Sequence, residues 1–570
     1  MKKKIKPVIF IIALIVFIGL IYAGQVAFEH FSYSREKADL NDYYQLTDPT
    51  QAVLFVDDEL KEEKATCFNG VFYLSFDLVQ KYISNRFYYG VLDGILVYTG
   101  PNEIFTTSVG ESVVTKTDGS NEDLGYTTCM QEGDTLFVAV KYLERYTDMS
   151  SQSFSDEGPA RIRIYSKRGD ELQVGNLKKK IALRKLGGRK SEIVSYAEGQ
   201  VTVVEQMEEW SRVVSGDAHI GYVENKYIKD IAPASIEGFE TEKLDLGEYT
   251  SIKLGTKANV GFHPIGGIAG NETVSGIISQ TKSLNVIAPT WFSLSDTEGN
   301  ISSYATNDYI TTAHANGLQV WAVVDNFNND NKPDTETVLS HASSRANLIS
   351  NLIQKQSEYG FEGINVDFEL INESYADSYL EFIRELSVAC RRNGIILSID
   401  DYVPMDFNDH YDLKEQGIVC DYVVIMGYDE HYAGSKEAGS VASINYVQTG
   451  ITKALDEVPA EKLINAIPFY TRLWTTSGGE LSSKALHMSG AENVISEKGM
   501  EMKWDETTCQ YYGEATDSNG DFYQIWNEEA RSIEAKLNVM QSAGVAGVAE
   551  WALGFENADV WDVIANYMAQ

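Results

Sequence analysis

Residues 362–369 read Glu362-Gly-Ile-Asn365-Val-Asp367-Phe-Glu369. Ile364, Val366 and Phe368 alternate with Asn365, Asp367 and Glu369, so a strand here turns three hydrogen-bonding side chains to one face and an apolar trio to a packed layer. A carboxylate two residues before a terminal glutamate, at the end of a buried strand, suits acid/base work. Asp-x-Glu alone is common on solvated strand ends, and the surrounding sequence decides its meaning.

Working outward, the stretch is one of eight candidate strands after residue 257: 259–262, 286–290, 318–324, 363–369, 395–399, 422–426, 463–467 and 545–550. Helical patterns fill the gaps. One carries Leu348, Ile349, Leu352, Ile353 and Tyr359 on one face, and the next carries Tyr375, Tyr379, Ile383, Leu386 and Cys390. Gly317, Gly360, Gly394 and Gly544 stand where each helix must end before its strand. Regular strand–helix alternation of this length fits a (β/α)8 TIM barrel over 257–570, with an insertion between the seventh and eighth strands at about 475–525. In such a barrel, function gathers at the C-terminal ends of the strands. Those positions hold Trp291, Asp325, Asp367 with Glu369, Asp401 with Tyr402, Tyr428 with Asp429, Tyr470 with Arg472, and Trp551. Acids and aromatics repeated at successive strand ends suit a cleft that stacks on sugar rings and grips their hydroxyls.

These residues carry a resemblance. Glu362–Glu369 resembles the Asp-x-x-Asp-x-Asp-x-Glu motif of glycoside hydrolase family 18. Met426-Gly-Tyr428-Asp429 is similar to that family's Met-x-Tyr-Asp, and Trp551 in Gly547-Val-Ala-Glu-Trp-Ala-Leu-Gly554 matches its tryptophan beneath the reacting sugar. Ile467-Pro-Phe-Tyr-Thr-Arg-Leu-Trp474 and Tyr428-Asp-Glu-His431 look nearest to the branch of cell-wall and spore-cortex lytic enzymes. The resemblance implies substrate-assisted, retaining hydrolysis next to N-acetylglucosamine, with no metal or other cofactor. It implies Glu369 as acid and then base, Asp367 orienting the acetamido group, Tyr428 bonding its carbonyl and Trp551 flooring the subsite. Asp429, Asn365, Trp291, Asp325, Tyr402, Tyr470 and Arg472 are the expected substrate-binding residues. Two positions depart from the motif. Glu362 replaces its first aspartate, far from the chemistry. Asn365 replaces the second, which in the family can share a proton with the Asp367 position, so Asp367 is expected to lose a negative neighbour and stay ionised over a wider pH range. Peptidoglycan is the expected substrate; a chitinase or an endo-N-acetylglucosaminidase is the alternative, and a sugar-binding, non-catalytic barrel the alternative of another class.

Ahead of the barrel, Lys2, Lys3, Lys4 and Lys6 precede an apolar run from Val8 to Ala23, extendable through Phe28. That run is near the roughly 20 residues of a spanning helix. Residues 1–30 are therefore expected to form an uncleaved transmembrane anchor, or alternatively a cleaved signal peptide, with the rest of the chain outside the cytoplasm. Residues 43–170 contain a repeat: Phe72–Tyr82 lines up with Leu136–Tyr146, each a short strand running into a helix after Gly70 or Gly133. This small α+β domain resembles the copper amine oxidase N-terminal-like module, a name that implies no copper here. Residues 177–232 read as short strands with glycine turns, a small all-β barrel that resembles a bacterial Src-homology-3-like domain, for which a cell-wall peptide is a possible partner. An acidic linker is expected at 233–256.

The 570 residues carry a net charge of −36, which argues against nucleic acid as a partner. The basic cluster Lys178-Lys179-Lys180, Arg184, Lys185, Arg189, Lys190 reads as a solvated patch. None of the five cysteines forms a CxxC pair, and Cys67 with Cys129 is the natural candidate for a disulfide.

Overall fold

The computed structural model describes residues 5–156, 158–167, 169–327 and 333–570. Lys2, Lys3 and Lys4 of the N-terminal basic cluster lie outside them. The chain divides into two compact units.

The first unit runs to Phe87 and takes in Thr106–Thr115 and Gly119–Asp245. It begins with the helix Ile5–Phe31, whose Val8–Phe31 portion has a mean hydropathy of 2.6 and is long and apolar enough to cross a membrane. The two copies of the repeat are strand Val71–Ser75 with helix Phe76–Tyr82, and strand Thr135–Ala139 with helix Val140–Glu144. Their strands pair antiparallel, Val138 opposite Leu74, so each copy covers the other's edge. Both belong to one seven-stranded sheet. A second seven-stranded sheet contains Ile181–Arg184, Gln200–Gln206, Trp210–Ser215 and Ile220–Glu224. Glu171–Leu177 and Ile228–Ser235 also join it, at and beyond the expected ends of that domain.

The candidate pair Cys67 and Cys129 is not bridged, since all five cysteines are free. Strand order explains why. Cys67 lies on Glu59–Phe68 and Cys129 on Cys129–Glu132, with two strands between them in the sheet. Three steps at ~4.8 Å each place them about 14 Å apart, beyond the roughly 7 Å a disulfide spans.

The second unit is the barrel, Leu246–Gln570, with Tyr88–Phe105 and Lys116–Asp118. Its eight parallel strands are Ala258–His263, Val286–Leu294, Gln319–Asp325, Gly363–Asp367, Ile396–Tyr402, Tyr422–Met426, Leu463–Pro468 and Gly547–Trp551. They close because the first pairs with both the second and the eighth. Side-chain alternation separates two cores. Val260, Ala288, Val323, Val424, Ala466 and Ala549 fill the interior, while Ile364, Val366, Ile399, Val423 and Val548 pack outward with the helices. Helices Ala342–Tyr359 and Ala376–Asn393 end on Gly360 and Gly394 at φ 77° and 68°, a left-handed turn that costs other residues more. The insertion is an antiparallel five-stranded sheet with the helix Met488–Lys498, and it begins earlier than expected, at Tyr470.

Tyr88–Phe105 packs on the barrel's outer helices, although the sequence places it inside the 43–170 module. The Thr99 hydroxyl donates to Glu381 at 2.6 Å, and the Tyr88 and Ser378 hydroxyls lie 2.9 Å apart. Beneath them Arg345 bonds Glu385 at 3.1 Å, and Arg384 bonds Glu415 at 2.9 Å and Glu381 at 3.4 Å.

Candidate active site

The fourth strand points Asn365 and Asp367 into the barrel mouth, with Glu369 just beyond its end. Phe368 turns outward and stacks on Phe382 at 5.6 Å, which fixes the phase of the segment. Asn326, beyond the third strand, holds the Glu369 backbone from both sides. Its amide donates to the Glu369 carbonyl at 2.9 Å, and its Oδ1 accepts the Glu369 N–H at 3.1 Å. The Tyr402 hydroxyl donates to Glu369 Oε2 at 2.6 Å. Burial raises the Glu369 carboxyl above its ordinary value and the negative charges of Asp429 and Asp325 add to this, while the Tyr402 bond opposes it. An acid so placed keeps its proton closer to neutrality.

Asp367 is pushed well above the usual carboxylate range, first by burial and then by Asp400, Glu369, Asp325 and Asp401. This overturns the expectation that Asn365 leaves Asp367 with fewer negative neighbours. The missing charge is supplied by Asp400 on the fifth strand, whose Oδ1 accepts from Asn365 Nδ2 at 2.9 Å. Ser398, Asp400 and Tyr402 share the inward face of that strand. The signal was present in the period of two: a strand that aims Tyr402 at the site must aim Asp400 there too. By the same alternation Asp401 faces the helices, where Gln416 donates to it at 3.4 Å. Glu362 lies at the far end of the fourth strand, accepting the Val320 N–H at 2.9 Å and pairing with His314 at 3.0 Å.

Tyr428 follows the sixth strand, half-buried, its ring edge-on to Tyr470 at 6.2 Å. Burial raises its phenol, and Asp400, Asp367 and Glu369 are among the charges that raise it further. The Tyr470 hydroxyl donates to Asp429 Oδ1 at 2.5 Å. Burial and Asp429 push the Tyr470 phenol well above its ordinary value, with nearby Arg472 opposing. Arg472 itself donates to Ser483 at 3.0 Å, on the neighbouring strand of the insertion. Asp325 is in register with Asp367 and accepts the Phe327 N–H at 3.0 Å. Trp551 is half-buried against Phe262, with ring centroids 5.8 Å apart.

Trp291 does not join this group. Only 1% exposed, it lies in the outer core, edge-on to Tyr309 and donating to Asn271 at 2.8 Å. It presents no face to a sugar. The register with the third strand slips between Thr290 and Phe292, so strict alternation fails at this residue.

The Tyr428–His431 and Ile467–Trp474 motifs meet at one loop. His431 Nδ1 lies 2.8 Å from the Ser440 carbonyl, Trp474 donates to the Gly439 carbonyl at 2.8 Å, and Glu430 accepts from Ser443. A Cβ on Gly439 would fall 2.4 Å from the His431 ring, so any larger residue there must displace that ring. Loops beyond the third to sixth strands also expose Phe327, Leu370, Phe407 and Tyr432, which sequence reading passed over.

The model of the family "Glycosyl hydrolases family 18" matches residues 253–556. The uncharacterized glycosylase YvbX of Bacillus subtilis (strain 168) is 26% identical over 291 residues, 49% of this chain and 84% of that protein. The cortical fragment-lytic enzyme of the same organism is 26% identical over 239 residues, 40% of this chain and 55% of that enzyme. Among solved structures, the spore cortex-lytic enzyme SleL of Bacillus cereus aligns at 23% identity with a TM-score of 0.50, covering 57% of this chain and 78% of that one; that likeness speaks to the fold.

Proposed function

The chain belongs to glycosyl hydrolases family 18 and is a glycosidase, and from that premise we propose that it cleaves β-1,4 bonds next to N-acetylglucosamine in peptidoglycan, outside the cytoplasm, held at the membrane by its N-terminal helix. The observation that carries the reading is the set Glu369, Asp367, Tyr402 and Tyr428 at the C-terminal ends of the fourth, fifth and sixth strands, with the Glu369 carboxyl raised and hydrogen-bonded at 2.6 Å. Glu369 protonates the glycosidic oxygen as the bond breaks and then takes a proton from the incoming water. The nucleophile is the substrate's own acetamido oxygen. Asp367 accepts the acetamido N–H and its charge steadies the cationic ring that forms, while the Tyr428 hydroxyl donates to the acetamido oxygen and holds it against the anomeric carbon. Trp551 floors the sugar, and the exposed Phe327, Phe407 and Tyr432 offer faces for neighbouring units of a polymer.

Peptidoglycan is favoured because the cortical fragment-lytic enzyme carries cortex lysis in its name and the apolar helix Val8–Phe31 suits a protein held close to the wall. The test is digestion of purified peptidoglycan and of chitin oligosaccharides by the wild type and by Glu369→Gln, followed by identification of new reducing ends. N-acetylglucosamine ends from peptidoglycan with the wild type alone are expected, with Glu369→Gln slower by on the order of 10²–10⁴-fold. Faster cleavage of chitin than of peptidoglycan would move the assignment to a chitinase. Wild-type activity retained in Glu369→Gln would sink the role of Glu369.

A further inference from the structure

The register between the fourth and fifth barrel strands sets Asn365 beside Ser398 and Val366 beside Ile399. One step further along, Asp367 and Asp400 come side by side on the same inward face, on strands ~4.8 Å apart. Asp400 is 4% exposed, and the Asn365 amide, shared between Ser398 Oγ and Asp400 Oδ1 at 2.9 Å each, fixes its carboxyl in place. Among the described residues, Asp367 Oδ1 is a buried oxygen that receives no hydrogen bond, and so is Asn365 Oδ1. A buried carboxyl beside a half-buried one whose buried oxygen lacks a donor is the arrangement in which a single proton is held between the two.

We propose that Asp400 is a positioning residue for Asp367. The two carboxyls share one proton, which sits on Asp400 when Asp367 must accept the acetamido N–H of a bound sugar, and returns toward Asp367 when the pocket empties. The proton only changes oxygens, so no other reactant is consumed. The inference rests on the acetamido mechanism proposed above. It places the partner carboxyl on the neighbouring strand, with the amide of Asn365 serving as its clamp.

The groups facing Asp400 agree with this. Asn365, Asp367 and Glu369 come from the fourth strand and its end, Tyr428 from beyond the sixth, and Ser398 from its own strand, while Asp325 faces the Asp367 side and Asp401 lies next in sequence on the opposite face. Burial pushes Asp400 up to about 8, with Glu369 adding and Asn365 opposing, and Asp400 is the strongest charge acting on Asp367. Carboxyls coupled in this way lose their protons in two steps that belong to the pair. The pair therefore holds a proton at pH values where an ordinary carboxyl has lost it.

The test compares wild type, Asp400→Asn, and the double variant Asn365→Asp with Asp400→Asn, which moves the carboxyl back to the fourth strand. Asp400→Asn should lower kcat by on the order of 10–10²-fold, below the full worth of a catalytic proton transfer, with little change in KM and with the alkaline limb of the kcat profile displaced. The double variant should recover at least about half of that loss on a logarithmic scale. A purely structural role for Asp400 would not give recovery from a second change at another strand. Infrared titration of the full chain without substrate supplies a readout independent of turnover: wild type should retain one more protonated carboxyl at neutral pH than Asp400→Asn. An unchanged kcat profile in Asp400→Asn, no gain in the double variant, or identical infrared titrations would each overturn the proposal. If wild type cleaves no substrate, the functional reading fails, and the infrared titration still decides whether the pair shares a proton.

Discussion

The barrel carries two buried clusters of acids, one inside its mouth and one outside beneath Tyr88–Phe105, and they are provisioned in opposite ways. Outside, Glu385, Glu415 and Glu381 bond arginines at 3.1, 2.9 and 3.4 Å. Inside, the described hydrogen bonds to Glu369, Asp400 and Asp325 come from a phenol, an amide and a backbone N–H, all neutral. A guanidinium set against a buried carboxyl opposes its protonation and ties neighbouring helices together as a strut. A buried carboxyl met by neutral donors and other carboxyls is held near the point of exchanging its proton, and proton exchange is what glycosidic cleavage needs.

The largest effects should separate the clusters. Inside, Glu369→Gln should abolish most turnover while leaving the thermal midpoint where it was. Outside, Arg345→Leu should do the reverse. The Arg345 side chain is fully buried, and it donates to Glu385, to the Leu339 carbonyl at 2.7 Å and to Tyr88 at 3.4 Å. Its loss strands a buried Glu385 and costs about 3–5 kcal/mol. Chemical denaturation read by tryptophan fluorescence would measure it, and turnover per folded molecule should stay near wild type. A drop in that specific turnover as large as the drop in stability would mean the two clusters are not independent.

A smaller effect is expected at Tyr402, which joins the inside cluster through one bond. That bond favours the ionised form of Glu369, so Tyr402→Phe should raise the Glu369 carboxyl further and carry the alkaline limb of the rate profile to higher pH. Loss of positioning should lower kcat by about tenfold. A limb displaced to lower pH would show that the phenol acts on some group other than Glu369.

Much of this was legible in the chain, for local reasons. Eight strands announced themselves by apolar runs closed by glycines at helix ends, and Asp367, Glu369, Tyr402 and Tyr428 converge because alternation fixes which side chains face inward. What escaped depends on relations between distant segments. Trp291 was misread because a slipped register interrupts alternation there. The Cys67–Cys129 pairing failed because strand order, not sequence order, sets their separation. Asp400 gains its meaning only from lying next to a strand whose usual carboxyl is an amide. The alliance of Tyr88–Phe105 with the barrel is written in Arg345, Glu381 and Arg384, charged helix residues whose burial depends on a distant segment that covers them.

The smallest effect should come from Glu381, the outside acid least secured by its arginine. Burial pushes its carboxyl up to about 7, with Arg384 opposing and Glu385 adding. The folded chain therefore holds a proton that the unfolded chain, at its ordinary value of 4.5, has already released. Folding is favoured by that proton at low pH, and its contribution is lost as pH rises from about 4.5 through 7. The thermal midpoint should fall between pH 5 and pH 8 by on the order of 2–4 °C. Glu381→Gln is neutral at every pH and keeps an acceptor for the Thr99 hydroxyl, so it should flatten that slope without touching kcat. If instead the slope persists in Glu381→Gln and vanishes in Asp400→Asn, the inside cluster governs the pH dependence of stability as well as of turnover, and the division of labour between the two clusters falls.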